Sequence, residues 1–199
     1  MIPAGTLWYQ TTVALRMGFK MPTPNIFTLQ LVLGYVAWLL CFRVYLWPRL
    51  KSLDPVAAHR AIATLHSFRF FGLIFVVPGA VGAHLPGDFA AFAAYGDLAT
   101  GVLAILALLT VNARPLFWLF VVAFNLVGMG DLVLNYYHAV QTGLPAVAGD
   151  LGVAYAIPVL YVPLLMITHV AAFYMLAHRS GTDLVSLPPL SAGKGGASS

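Results

Sequence analysis

The chain has 199 residues, of which 61% are hydrophobic and only 8% are charged. A water-soluble domain carries roughly 25% charged residues, and a soluble fold of this length would leave far too much apolar surface in water. The composition therefore excludes an ordinary soluble domain and predicts an integral membrane protein with the lipid bilayer as its main partner. The formal net charge of +4 falls mostly in loops, which indicates membrane orientation and not nucleic-acid binding.

Residues 1–26 are predicted to form an N-terminal interfacial arm. We expect no signal peptide here, because no basic residue precedes the apolar part and no small-residue cleavage site follows it. A short amphipathic helix lying in the membrane interface is one interpretation, and a loosely packed arm is the other. The residues on its apolar face are Trp8, Thr12, Leu15 and Phe19. Pro22 and Pro24 are then expected to break the chain.

The first span is predicted over residues 27–47, about 20 mostly apolar residues, which is the length that the hydrocarbon core requires. Asp54-Pro55 predicts the start of the second helix, with aspartate as N-cap and proline in the first turn.

The second span, residues 61–84, carries two ionisable side chains. His66 and Arg69 lie three residues apart inside this apolar stretch, so they share one helical face. Pro78-Gly79 is expected to kink the helix.

The third span is predicted over residues 89–111, with Asp88 as its N-cap. One side of this helix carries small residues around a single carboxylate. These are Ala93, Asp97, Gly101 and Ala104. Small residues at this spacing allow helices to approach closely, so this side is predicted to face other helices.

The fourth span, residues 116–137, opens at Arg114-Pro115 and carries a polar stripe. At about 100° per residue the stripe covers an arc of roughly 140°. Its members are Asn125, Gly128, Asp131, Asn135 and His138. A stripe indicates a face turned away from lipid, toward either the bundle interior or another chain.

The fifth span, residues 151–177, is predicted to be capped by Asp150 and contains His169 between membrane-spanning apolar residues. Two prolines, Pro158 and Pro163, interrupt its first half.

The predicted fold is an all-α integral membrane protein. It comprises the arm (1–26), a bundle of five transmembrane helices (27–179) and a flexible C-terminal tail (180–199). Five spans put the termini on opposite sides of the membrane. The basic residues on one side are Arg43, Arg49, Lys51, Arg60, Arg114, Arg179 and Lys194, against only Arg16 and Lys20 on the other. The positive-inside rule then predicts the N-terminus outside and the C-terminus in the cytoplasm.

Six polar residues at membrane depth form the candidate ligand- or ion-binding site. They are His66, Arg69, Asp97, Asn125, Asp131 and His169. We expect Arg69 to pair with either Asp97 or Asp131, which would offset the cost of burying the guanidinium. A purely structural role is the alternative, although ionisable groups inside membranes mark functional sites by default.

Two classes of function fit this pattern. One is a buried site for an ion, a proton or a small ligand, at helices that prolines interrupt. The other is a non-catalytic subunit of a larger membrane complex or a homo-oligomer. Haem is a further alternative, raised by His66 and His169, but two lone histidines are weak evidence. No metal is predicted, because zinc and di-iron centres need three or more clustered ligands.

The sequence leaves enzyme activity undecided. It carries no recognisable nucleophile or metalloprotease motif. His66 and the aspartates are nevertheless side chains that can perform acid–base chemistry.

Overall fold

The computed structural model describes the backbone of residues 22–185 and the side chains of residues 22–178. Every regular element within these residues is helical, and no strand is found there, which confirms the all-α class. The predictions for residues 1–21 and for the end of the chain after residue 185 lie outside the described residues.

Five helical units follow one another along the chain. They are α1, Thr23–Ser52; α2, Pro55–Ser67, with its 3-10 extension Phe68–Val76; α3, Gly87–Leu109; α4, Arg114–Gln141; and α5, Val162–Val185. A 3-10 connecting segment, Leu144–Tyr155, and a π-helical turn, Ile157–Tyr161, precede α5. Within the described residues, four helices are long and apolar enough to cross a membrane, namely α1, α3, α4 and Ile157–His178.

The second helix begins as the sequence predicts. The Oδ1 atom of Asp54 accepts hydrogen bonds from the backbone N–H groups of Val56 at 3.0 Å and Ala57 at 3.1 Å. Pro55 follows at the first helical position, where its missing N–H costs nothing.

The continuation of α2 differs from the expected kinked helix. Its α-helical part has 13 residues, and nine residues of 3-10 helix follow. Val77 is then extended, and Gly79 has a φ of +79°. Pro78-Gly79 therefore ends the helix instead of kinking it. The count of five spans stays a prediction, since α2 is not among the four long apolar helices.

Two predicted helix caps are wrong. Asp88 makes no capping hydrogen bond, because α3 already begins at Gly87, with Pro86 as its N-cap residue. Asp150 lies inside the connecting segment, where its backbone carbonyl accepts the N–H of Gly82 at 2.6 Å. The turns that precede these helices, and not the side chains of the two aspartates, set where each helix begins.

Other predicted boundaries also move. Pro24 does not break the chain but lies in the first turn of α1, where proline fits a helix. Residues 180–185, which were predicted to belong to the tail, continue α5 to Val185.

The third helix is central to the packing. α3 packs most extensively against α4 and against the 3-10 extension of α2. Its small-residue side is buried, as predicted, at Ala93, Gly101 and Ala104. A Cβ on Gly101 would lie 3.0 Å from the backbone nitrogen of Phe70, so glycine permits this close approach.

The buried apolar residues form two separate cores. The first core includes Phe75 and Phe89, and the second includes Phe117 and Phe124. Along α3, Asp97 falls between first-core and second-core residues. The candidate polar site therefore lies between two apolar layers.

Candidate functional site

The guanidinium group of Arg69 is the centre of the site and is 0% exposed. Its Nε atom donates to Oδ1 of Asp97 at 2.6 Å, and its Nη2 atom donates to Oδ2 of Asp131. Its Nη1 atom donates to the backbone carbonyl of Gly128 at 3.3 Å. The expectation of one aspartate partner is thus corrected to two, because the planar guanidinium directs donors from three nitrogens.

We call Arg69, Asp97 and Asp131 the ionic triad. All three residues are buried, and they join the 3-10 extension of α2 to α3 and α4. Oδ1 of Asp131 also accepts a hydrogen bond from Nδ2 of Asn135 at 3.0 Å. With both carboxylates ionised, the triad carries one positive and two negative formal charges.

The hydrogen-bond partners of His169 define its tautomer. Its Nε2 atom lies 3.4 Å from Nη1 of Arg69, and a guanidinium only donates, so Nε2 carries no proton. Nδ1 therefore carries the proton and donates to Oδ1 of Asn125 at 2.9 Å. Nδ2 of Asn125 donates in turn to the carbonyl of Val121 at 2.7 Å. Because only Nδ1 carries a proton, these hydrogen bonds assign His169 as a neutral imidazole.

His66 is held differently. The hydroxyl of Thr168 donates to the carbonyl of Leu164 or Leu165, so it accepts from Nε2 of His66 at 3.0 Å. Nδ1 of His66 is buried and has no hydrogen-bond partner among the described residues. A proton on Nδ1 would therefore be a buried donor without an acceptor, which is costly. His66 is therefore also a neutral imidazole.

The histidine geometry does not fit a haem. The ring centroids of His66 and His169 lie 4.0 Å apart, and both residues are fully buried. Two histidines that ligate one iron must stand on opposite faces of the porphyrin, and these contacting rings leave no space for it. Within the described residues no group of three or more potential metal ligands is found.

Glycines on three elements give the charged groups their space. A Cβ on Gly128 of α4 would lie 2.5 Å from Nε2 of His169 and 2.7 Å from Nη1 of Arg69. A Cβ on Gly96 of α3 would overlap the Asp131 carboxylate, and one on Gly72 would overlap the Asp97 carboxylate. Any larger residue at these positions would displace the triad.

A cavity of about 130 Å³ adjoins the triad. Asp97 lines it, together with Asn135 and Tyr136 of α4. The Oδ1 atom of Asn135 is buried and has no hydrogen-bond partner within the part of the chain that the structure describes. Most of the remaining wall is apolar and includes the rings of Phe27, Phe75 and Phe89.

The structure thus connects all six residues proposed from the sequence. Three of them, Arg69, Asp97 and Asp131, form the triad, while Asn125 and His169 extend it by hydrogen bonds. His66 joins only through ring contact with His169. This arrangement holds charged groups in fixed positions inside the bundle.

Sequence reasoning missed four members of the site. Thr168 orients His66. Asn135 donates to Asp131 and lines the cavity, whereas the sequence placed it only in the polar stripe. Gly72 and Gly96 provide space for the aspartates. Usable signals existed for Thr168, which is next to His169 on the same helix, and for Asn135, which lies in the polar stripe with Asp131.

Comparison with known proteins identifies a family for the chain. No curated protein and no solved structure matches it significantly. A family model described as Domain of unknown function (DUF8737) matches residues 26–177, which include every residue of the candidate site. Because this match covers well over half of the chain, the protein belongs to the DUF8737 family.

Proposed function

We propose that the protein is an integral membrane protein whose ionic triad binds one proton or one small monovalent cation. The observation that carries this proposal is the charge imbalance of the triad. Arg69 supplies one positive charge to two carboxylates, and the hydrogen bonds of His66 and His169 assign neutral imidazoles.

An unbalanced charge away from water is costly, and proteins compensate it with a proton or a counter-ion. The charged and titratable groups around Arg69 come from five elements. One is the neutral phenol of Tyr161 in the π-helical turn, which donates to the carbonyl of Leu65 at 3.1 Å and adds no charge. The other four are side chains of the long helices and of α2. They are His66 of α2, Asp97 of α3, Asp131 of α4, and His169 of α5. Their sum is one negative charge, so a single positive charge completes the site. Asp97 is the carboxylate that the cavity reaches, and we propose that the positive charge enters from that side.

The membrane assignment is supported by the outward side chains of the bundle. Large apolar residues such as Leu40, Leu109 and Val140 are exposed on the surfaces of the long helices. Lipid is the solvent in which such a surface is stable, and four helices have the length and composition to cross it.

A fifth crossing by α2 is supported by its length. Thirteen α-helical residues rise about 1.5 Å each and nine 3-10 residues about 2.0 Å each, which together span about 37 Å. The hydrocarbon core is about 30 Å thick. Five crossings would give the predicted orientation, with the N-terminus outside and the C-terminus cytoplasmic.

The test is infrared difference spectroscopy of the protein in nanodiscs, between acidic and alkaline buffer without added metal cations. Exposed aspartates also gain carboxylic-acid carbonyl bands in acid. Proton uptake by the triad is therefore identified by the part of the wild-type band that Asp97→Asn and Asp131→Asn each lose and that Asp88→Asn retains. Asp88→Asn is the matched control, because Asp88 is an exposed aspartate on the same helix as Asp97.

Cation uptake is measured on the same samples by titration with sodium or potassium at constant ionic strength. Either a proton or one of these cations is expected to bind the wild type and not the two asparagine variants. A wild type that takes up neither, or triad variants that titrate like Asp88→Asn, would refute the proposal.

A role as subunit of a larger complex or homo-oligomer is the second candidate. α1 is the least buried of the four long helices, and its outward residues include Leu33 and Val36. The polar stripe, in contrast, turns Asn125 and Asp131 into the bundle, which supports an internal site. The mass of the particle extracted in mild detergent tests this second candidate. A mass above that of a single chain would support it.

A further inference from the structure

We infer that the cavity beside the triad binds a small organic ammonium ion with an apolar body. This inference rests on the proposed function, because the ammonium group would supply the positive charge that the triad lacks.

The size of the cavity limits the ligand. Its volume is about 130 Å³, and an apolar cavity of about 150 Å³ holds a benzene molecule. A compact molecule of about five or six non-hydrogen atoms fits this space.

The walls of the cavity favour an apolar body. Phe27, Phe75 and Phe89 are all buried at its edge, from α1, the 3-10 extension and α3. The rings of Phe75 and Phe89 pack edge to face with centroids 6.2 Å apart. Such rings bury hydrocarbon, and their faces also attract a cation electrostatically.

The polar end of the cavity offers acceptors. Asp97 lines it, and the Oδ1 atom of its carboxylate accepts from Nε of Arg69. Asn135 lines the same cavity, and its buried Oδ1 atom has no hydrogen-bond partner among the described residues. The hydroxyl of Tyr136 already bonds the hydroxyl of Tyr35 at 2.8 Å.

These acceptors select among head groups. An ammonium group has donors only, so it can bond both Asn135 and Asp97 while it balances the charge. A carboxylate would be repelled by Asp97 and would find no donor at Asn135. An alcohol has a single donor and leaves the charge unbalanced. The cavity therefore prefers an ammonium ion over neutral or anionic molecules of the same shape.

The experiment compares three probes of one shape on the full chain in nanodiscs. Isobutylammonium, isobutanol and isobutyrate are titrated by calorimetry at neutral pH. We expect isobutylammonium to bind at least tenfold more tightly than isobutanol, and isobutyrate not to bind. Isobutylammonium should also suppress the carboxylic-acid band of the wild type, since it replaces the proton.

Two variants locate the binding. Asn135→Leu removes the Oδ1 acceptor together with the Nδ2 donor to Asp131, whereas Ala139→Leu fills the cavity and removes no polar group. Each is expected to lower isobutylammonium affinity at least tenfold. The matched control is Asn112→Leu, since Asn112 is exposed between α3 and α4. Thermal unfolding shows whether each variant is folded. If Asn135→Leu does not fold, Ala139→Leu alone tests the binding place.

The outcomes distinguish this inference from the proposed function. Equal binding of the three probes, or binding that survives Ala139→Leu, would overturn the ammonium site. If the triad nevertheless takes up a proton that Asp97→Asn abolishes, the proposed function stands alone. If neither charge uptake nor ammonium binding is observed, both are overturned.

Discussion

The Nε atom of Arg69 and the Oδ1 atom of Asp97 lie 2.6 Å apart, and this bond joins the 3-10 extension of α2 to the middle of α3. The second bond of the same guanidinium, to Asp131, adds α4 to the connection. An arginine cannot shed its proton inside a protein, so its position fixes where the two carboxylates must lie. The ion pairs are therefore both a connection between helices and the frame of the proposed ion site.

Replacing Arg69 by alanine should lower the stability of the protein in detergent or nanodiscs substantially. Removing one partner of a buried ion pair leaves the other charge unpaired, at a cost of about 3–5 kcal/mol. Arg69→Lys should restore only part of the loss, because lysine keeps the charge but lacks the planar fork. Thermal unfolding followed by circular dichroism measures both effects.

The two carboxylates should each show coupling to Arg69. In double-mutant cycles, adding Asp97→Asn or Asp131→Asn to Arg69→Ala should recover part of the lost stability, since fewer lone charges remain. Coupling with only one aspartate would mean that the second bond contributes little. An Arg69→Ala variant as stable as the wild type would show that the guanidinium is not paired in the folded protein.

Alanine at Gly128 should destabilise the protein, whereas alanine at Gly130 should not. Both glycines lie in α4, but a Cβ at position 128 would collide with His169 and Arg69, while one at position 130 meets nothing within 4 Å. Because glycine inside a helix is less stable than alanine by about 0.5–1 kcal/mol, Gly130→Ala should raise the melting temperature slightly. If both variants behave alike, the site is not packed as tightly as the structure indicates.

The two buried histidines should differ in their response to phenylalanine. His169→Phe leaves Oδ1 of Asn125 and one Arg69 donor unsatisfied, at about 1–3 kcal/mol for each buried group. His66→Phe loses a single bond, and the Thr168 hydroxyl keeps its carbonyl acceptor. The free energy of unfolding should therefore fall more for His169→Phe. The reverse order would contradict the assigned hydrogen bonds.

Reporter fusions should test whether α2 crosses the membrane. A reporter inserted at Leu53 and one inserted at His84, before and after α2 and its extension, are expected on opposite sides. A fusion after Ser199 should report the cytoplasmic side, and one at Gly143 the opposite side. If Leu53 and His84 report the same side, the bundle has four crossings and the orientation prediction fails.

The sequence by itself determined the helical class, the starts of α2 and α4, and the six residues of the candidate site. These follow from local physics, since apolar length, the Asp54-Pro55 cap and the Arg114-Pro115 start depend on residues near in the chain. It also predicted that an ionisable residue such as Arg69 would turn away from lipid, because burying a charge in hydrocarbon is costly wherever it lies.

Only the tertiary structure decided how those residues meet. Helical spacing indicates which face a residue occupies but not how neighbouring helices are rotated or shifted, so it could not show that Arg69 bonds both Asp97 and Asp131. For the same reason the role of Gly96 could not be predicted, because it depends on α4 placing the carboxylate of Asp131 against this glycine. The cavity at Asn135 likewise arises from side chains of elements far apart in sequence, whose packing no local pattern encodes.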